Sequence, residues 1–288
     1  MSQVLSLSKP RVILLLLITG IIGFIIPDIN SVNFVDLLIF VISGYLSSGG
    51  AMMINSYIDQ DIDKLMERTK KRVIVIEELK FNSHFVLIFG TIMATLGILI
   101  GWIYFNEVVG LFLAWGVLFY IFGYTLYLKR KSFLNTIFGG LASPAPVWAG
   151  YAARLPSSST IFDMPLEGWF LGFLVFIWTP SHTWALATKY IDDYKKAKIP
   201  MLPVKFGINT TSRIVYYWGL GVIIFGSITA YIITRTIKLQ IILLGPHLLL
   251  FYGLRAFYSN PSVNTGGQCF KLHNVWLGLV FLFLILGS

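Results

Sequence analysis

Nine apolar runs, each close to the length a helix needs to cross a bilayer, constrain this chain more than any other feature. They are approximately Val12–Ile26, Leu37–Tyr57, Phe85–Tyr104, Val108–Tyr127, Leu134–Ala152, Trp169–Leu186, Ile214–Ile233, Ile241–Phe257 and Val275–Leu286. A helix of about 20 apolar residues spans the hydrocarbon core. In that medium every backbone N–H and C=O must be satisfied within the segment, which a helix does by itself. The chain therefore reads as an all-α polytopic membrane protein with nine transmembrane helices. The first and last runs are short, but polar residues flank both, and they fit as tilted or fraying spans. No Gly/Ser linker divides the sequence, so residues 1–288 read as a single transmembrane domain.

Composition agrees. The chain is 56% hydrophobic and only 12% charged, about half the charged fraction of soluble domains. Its formal net charge of +9 raises nucleic acid as a partner, but the placement of the charge argues for membrane orientation instead. All but Arg154, Arg235 and Lys238 of the 22 Lys and Arg fall on one side of the nine-span topology. That side is cytoplasmic by the positive-inside bias, which puts the N-terminus inside and the C-terminus outside the cell membrane. A single Cys269 leaves no partner for an intrachain disulfide. Met1 to Pro10 is short and polar, unlike a cleavable signal.

The chemistry concentrates where the second run ends, in INSYIDQDIDKLMERTKKR from Ile54 to Arg72. Asn55, Asp59 and Asp63 are four residues apart. On a helix they drift only ~40° per step and lie ~6 Å apart along one face. Oxygen ligands in such a file suit a hard cation such as Mg²⁺, which keeps phosphate and water as its other ligands. A solvated helix end would carry the same letters, but ionisable groups at the edge of a membrane core mark function. Arg68, Lys70 and Arg72 follow directly.

A second acidic segment, Ser181 to Gly207, closes the sixth run, with Lys189, Asp192 and Asp193 within about one helical turn. Two acidic segments and a ring of basic residues at one mouth of a bundle describe a receptor for a metal-bound polyphosphate. Lys129 and Arg130 follow the fourth run on the same side. Pro180 should kink the sixth run and free a carbonyl for a neighbour to take up. His182 is either a structural histidine or a substrate contact, and His247 and His273 read as structural. The small residues from Gly139 to Pro146 allow close helix approach and a bend, or equally leave room for a flat or long apolar ligand.

With these residues in view, the chain resembles the UbiA-type intramembrane prenyltransferases, and within them the protoheme IX farnesyltransferase branch. The resemblance runs through LSKPRV (Leu7 to Val12), NSYIDQDIDKLMERTKKR, YTLYLKR (Tyr124 to Arg130), NTIFGGLASPAPVWAGY (Asn135 to Tyr151) and HTWALATKYIDDYKKAKIPMLPV (His182 to Val204). Val73 stands where the family usually has Pro, and Ser181 and Thr183 flank His182 where Pro and Phe are usual. Lys189 takes the first Asp position of the second motif, as in the heme branch, and Asp193 the second.

The resemblance implies a UbiA-like helical bundle. It implies Mg²⁺-dependent transfer of a farnesyl group from farnesyl diphosphate to a vinyl group of heme B, within the bilayer. Asn55, Asp59, Asp63 and Asp193 would hold metal, with Asp192 assisting. Arg68, Lys70, Arg72, Lys129, Arg130 and Lys189 would bind the diphosphate, and His182 and Trp184 would touch heme. A downstream heme-modifying enzyme is a candidate partner. The same metal site would serve a quinone-precursor or glycerol-phosphate acceptor, and a cation-coupled transporter is the more distant reading.

Overall fold

The computed structural model describes residues 7–71 and 83–287, and within them every regular element is helical. Seven helices are long and apolar enough to cross a membrane: Phe34–Ile58, Ser83–Tyr104, Glu107–Lys131, Leu166–Lys189, Leu202–Thr234, Lys238–Ser259 and Val263–Gly287. The first expected span is the shorter helix Pro10–Ile25. The fifth, expected over Leu134–Ala152, is broken into Asn135–Gly139, a 3₁₀ turn at Gly140–Ala142 and Ala145–Ala152. Pro144 at the interruption has no N–H to carry a helix through. The nine runs thus appear as seven full-length helices, one short helix and one broken one.

The chain forms two compact units, Met1–Tyr127 with Ala145–Gly168, and Leu128–Pro144 with Trp169–Ser288. In the first unit we label Pro10–Ile25 α1, Phe34–Ile58 α2, Gln60–Leu65 α3, Ser83–Tyr104 α4 and Glu107–Leu118 α5. Asn33 starts α2 by accepting from the backbone N–H of Val35 and Asp36, a normal cap for otherwise orphaned amides. Asn106 caps α5 through Val109 N at 3.0 Å and donates to Ala152 O at 2.8 Å, tying the start of α5 to the end of Ala145–Ala152.

α2 and α4 approach closely enough that side chains are excluded at the contact. A Cβ on Gly50 would lie 2.3 Å from Gly90 O, and one on Gly97 would lie 2.4 Å from Ser47 N. Small residues let helix backbones meet when lipid supplies no hydrophobic drive between them. The contact holds the end of α2, where the acidic stretch begins. Backbones also approach closely at Gly23 and Gly150, where a Cβ on Gly150 would lie 2.0 Å from Gly20 O, whereas one on Gly140 would meet Thr179 Cγ2 at an ordinary 3.5 Å.

α5 does not stop at Leu118. It continues as a π-helix over Phe119–Leu128 before a last α turn at Lys129–Lys131. Ten residues of π-helix exceed the usual one-turn bulge, and such stretches gather at functional sites.

In the second unit, Leu166–Lys189 (α8, counting the two short helices of the broken span as α6 and α7) carries Pro180 inside it. Near the proline, the Ile177 carbonyl accepts from the Trp218 indole at 2.7 Å, which ties α8 to a neighbouring helix; the carbonyl that Pro180 leaves without a helical donor is that of Phe176, four residues back. Ile191–Lys196 is α9, Leu202–Thr234 α10, Lys238–Ser259 α11 and Val263–Gly287 α12. α10 folds at Gly207, whose φ of 77° is open to glycine at little cost.

Candidate functional site

The acidic stretch is not one continuous helix. α2 stops at Asp59, whose φ/ψ of −90°/7° is non-helical, and α3 restarts at Gln60. Two backbone bonds carry the register across the break: Asp59 N donates to Asn55 O at 3.0 Å, and Asp63 N to Asp59 O at 2.8 Å. The expected file of Asn55, Asp59 and Asp63 survives as a bent one. All three are buried, at 3%, 1% and 3% exposure, while Asp61 between them faces out. After α3, the turn at Met66–Lys70 is closed by Thr69 Oγ1 donating to Asp63 O at 3.0 Å.

Asn55 is the hub. Its Nδ2 donates to Asp59 Oδ2 at 2.7 Å and to Thr125 Oγ1 at 3.1 Å. Thr125 spends its own proton on Tyr120 O, five residues back, at 2.8 Å. The hydroxyl must therefore accept from Asn55, which fixes which end of the amide is nitrogen. The carboxamide oxygen then turns to Lys9, whose ammonium donates to it. The π segment delivers Thr125, and next to it Tyr124 lies within electrostatic reach of both Asp59 and Arg68.

Sequence reasoning missed Thr125, and it counted Lys9 only as an orientation charge. Lys9 directly precedes Pro10 and has φ 55°. A bulky residue in the left-handed region is uncommon, and a following proline restricts it further. Such backbone costs on the order of 1–3 kcal/mol and is held by its surroundings. Here Leu7 is buried against Met53, and Ser56 Oγ donates to Leu7 O at 3.3 Å.

Among the other expected diphosphate residues, Arg68 is exposed and Lys70 pairs with Glu67, both of them solvent-facing. Such pairs contribute little to stability. Arg72 lies outside the described residues. Lys129 and Arg130 sit in the last turn of the α5 extension, where Lys129 O accepts from Asn135 Nδ2 at 3.4 Å.

The second acidic segment repeats the break. α8 ends at Lys189, Tyr190 is non-helical at −114°/31°, and α9 restarts at Ile191. Asp193 is buried at 8% exposure, whereas Asp192 faces out. Lys189 lays its stem along Gly267 of α12 and holds its ammonium over the Tyr190 ring at 5.2 Å.

His182 and Trp184 do not share neighbours. His182 stacks on Trp178 at 3.9 Å and meets Phe270 at 4.6 Å, with a buried Nδ1 that has no hydrogen-bond partner. Trp184 meets Trp218 edge-on at 5.5 Å, and its buried indole N–H is likewise unpaired. Two residues apart, they turn to opposite sides of α8. The late histidines are engaged within the unit. His273 bonds Ser181 Oγ at 3.0 Å and Cys269 O at 2.9 Å, and His247 bonds Trp276 Nε1 and Ser227 Oγ.

Among the described residues no three His, Cys, Asp or Glu side chains converge as a ready-made metal cage. The donors at Asn55, Asp59 and Asp63 are a carboxamide and carboxylates. That set fits an ion such as Mg²⁺, which takes one or two protein oxygens and completes its shell with phosphate and water.

The sequence profile of the UbiA prenyltransferase family matches residues 16–286. Similar curated proteins include protoheme IX farnesyltransferases of Saccharolobus islandicus strain Y.G.57.14, 36% identical over 98% of this chain and 95% of that one. The counterpart in Sulfurisphaera tokodaii is 34% identical over 98% and 91%. Solved structures with the same fold include a digeranylgeranylglyceryl phosphate synthase (TM-score 0.79, 17% identity, 99% and 97% covered). A UbiA homolog from Archaeoglobus fulgidus, bound to DMAPP and Mg²⁺, gives a TM-score of 0.76 at 15% identity over 98% of each chain. This chain, a multi-span membrane protein whose buried Asn-Asp pair ends a membrane-length helix, belongs to the UbiA prenyltransferase family.

Proposed function

We propose that the protein transfers a farnesyl group from farnesyl diphosphate to a vinyl group of heme B, with Mg²⁺ on the leaving diphosphate. The observation that carries the prenyl half is the buried network of Asn55, Asp59 and Thr125, with Asp63 beside it, at the end of a membrane-length helix. The acceptor rests on the similar curated proteins, which are protoheme IX farnesyltransferases. Residues 1–288 work as one transmembrane prenyltransferase domain. The acids and the basic residues beside them face the cytoplasm, with the C-terminus outside.

Asn55, Asp59 and Asp63, with Asp193, would hold the metal, which neutralises charge on the departing pyrophosphate. Arg68, Lys129, Arg130 and Lys189 donate charge-assisted hydrogen bonds to phosphate oxygens; Lys70 and Arg72 add positive charge, and Asp192 orders water around the ion. Fixed positive charge aimed at a leaving group is usually the largest catalytic contribution. The C1–O bond of farnesyl diphosphate breaks with its electron pair going to pyrophosphate. The terminal vinyl carbon of heme bonds to C1, and water adds to the adjacent carbon and loses a proton, giving a hydroxyethylfarnesyl heme. Of the two expected heme contacts, His182 in its aromatic slot is the one that meets the porphyrin, since Trp184 turns to the other side of α8. A downstream heme-modifying enzyme would take the product.

The test is incubation of the purified protein with heme B, farnesyl diphosphate and Mg²⁺, followed by mass analysis of the extracted heme. A gain of one farnesyl group plus one hydroxyl is expected. Unchanged heme beside a prenylated quinone precursor or glycerol-phosphate lipid would overturn the acceptor. Movement of a cation across vesicles with no product in any mixture would overturn the enzyme reading.

A further inference from the structure

We infer that Lys9 is a positioning residue that holds the Asn55–Asp59 face while no metal is bound and passes to the diphosphate when metal arrives. The inference rests on the function proposed above, since it needs a metal diphosphate to bind at Asn55 and Asp59. Thr125 and Asp59 occupy both directions of the Asn55 nitrogen, so the one oxygen that Asn55 can offer a cation is the oxygen that Lys9 already holds. A metal taking that oxygen meets a unit positive charge on the same atom, and at ~4 Å such repulsion stays large even under strong screening.

The backbone of Lys9 gives little freedom to retreat. It is locked by the left-handed conformation, by Pro10 behind it, and by Leu7 and Ser8 buried in front. The flexible four-carbon stem is the part that moves. The ammonium therefore pivots off Asn55 at a fixed root, and the charge that accommodates it is the diphosphate arriving with the metal. One consequence is that metal and diphosphate load together, and free divalent cation is held weakly.

This predicts two effects of opposite sign. In detergent-solubilised wild type, Mn²⁺ alone, followed by the electron paramagnetic resonance of the free ion, should bind weakly, and added inorganic pyrophosphate should strengthen it. In Lys9→Met, Mn²⁺ alone should bind at least about tenfold more tightly, because a repelling unit charge ~4 Å away is gone. In the same variant the strengthening by pyrophosphate should shrink. Lys9→Arg, which keeps the charge, should stay near wild type, and Lys9→Gln serves if Lys9→Met does not fold. A purely structural Lys9 would leave Mn²⁺ affinity unchanged or lower it in both neutral variants, which overturns the inference while leaving the wild-type response intact. Wild type with no pyrophosphate-strengthened Mn²⁺ binding would overturn the proposed function and the inference with it.

Discussion

α2 and α8 both stop at a single non-helical residue, Asp59 in one and Tyr190 in the other, and each is followed by a six-residue helix. In both, the acid two places after the break, Asp61 or Asp192, faces out. The buried carboxylate that follows the break comes four places after it at Asp63 and three places after it at Asp193. The difference lies in what stands at the break itself. At Asp59 the break residue is a carboxylate, held by Asn55, which a π-helix on another element orients through Thr125. At Tyr190 it is an aromatic ring under the Lys189 ammonium. The same backbone device thus builds a buried, hydrogen-bonded Asn55–Asp59 pair in one unit and a half-exposed, lysine-rich segment in the other. Preorganised groups contribute most to catalysis because they need no rearrangement when charge develops.

The comparison can be broken by substitution. If Asp193 works with the first site, Asp193→Asn should lower farnesyl transfer by about a hundredfold, read as the initial rate of heme product formation. A rate within about twofold of wild type would leave the second unit without a part in the chemistry. Thr125→Val keeps the shape and removes the acceptor that orients Asn55. Losing one partner of a buried amide costs roughly 1–2 kcal/mol, so kcat/KM should fall about tenfold and Thr125→Ser should restore most of it. Asp192→Asn, on an exposed side chain, should change the rate by no more than about threefold. An effect as large as that of Asp193→Asn would show that exposure does not separate the two aspartates.

The smallest effect lies away from both segments. Asp163 accepts from Thr160 N at 2.7 Å and Thr160 Oγ1 at 2.9 Å, and these bonds hold its carboxyl below the ordinary 3.8. A lowered folded value means that the turn is favoured at pH above 3.8 and loses that support as pH falls through the folded value. An NMR titration of the Asp163 carboxyl should therefore show a midpoint below 3.8, and a midpoint at or above it would show that the bonds are absent in solution.

Hydropathy placed the membrane-length helices because burial in lipid demands apolar side chains along a whole span, a requirement written directly into composition. The Asn55, Asp59 and Asp63 file was legible for a similar reason: a four-residue spacing survives a one-residue bend when both backbone bonds across it persist. The fifth span was legible as one that the small residues from Gly139 to Pro146 let bend, but not as a full interruption, because Pro144 and the glycines around it are apolar or neutral and leave the hydropathy high. The π segment was hidden for a different reason. Changing the hydrogen-bond partner from four residues back to five alters the backbone, while FYIFGYTLYL remains an ordinary apolar string. Lys9 reads in the sequence only as an orientation charge because its contact with Asn55 lies 46 residues away, and no local pattern encodes it.

Whether Asp59 holds a divalent ion together with a diphosphate is read from pyrophosphate-dependent Mn²⁺ binding to Asp59→Asn. Wild type should gain Mn²⁺ affinity when pyrophosphate is added, and Asp59→Asn, still folded by thermal melting, should lose about a hundredfold or more of that gain. An Asp59→Asn protein that binds Mn²⁺ and pyrophosphate as wild type does would contradict that role for Asp59.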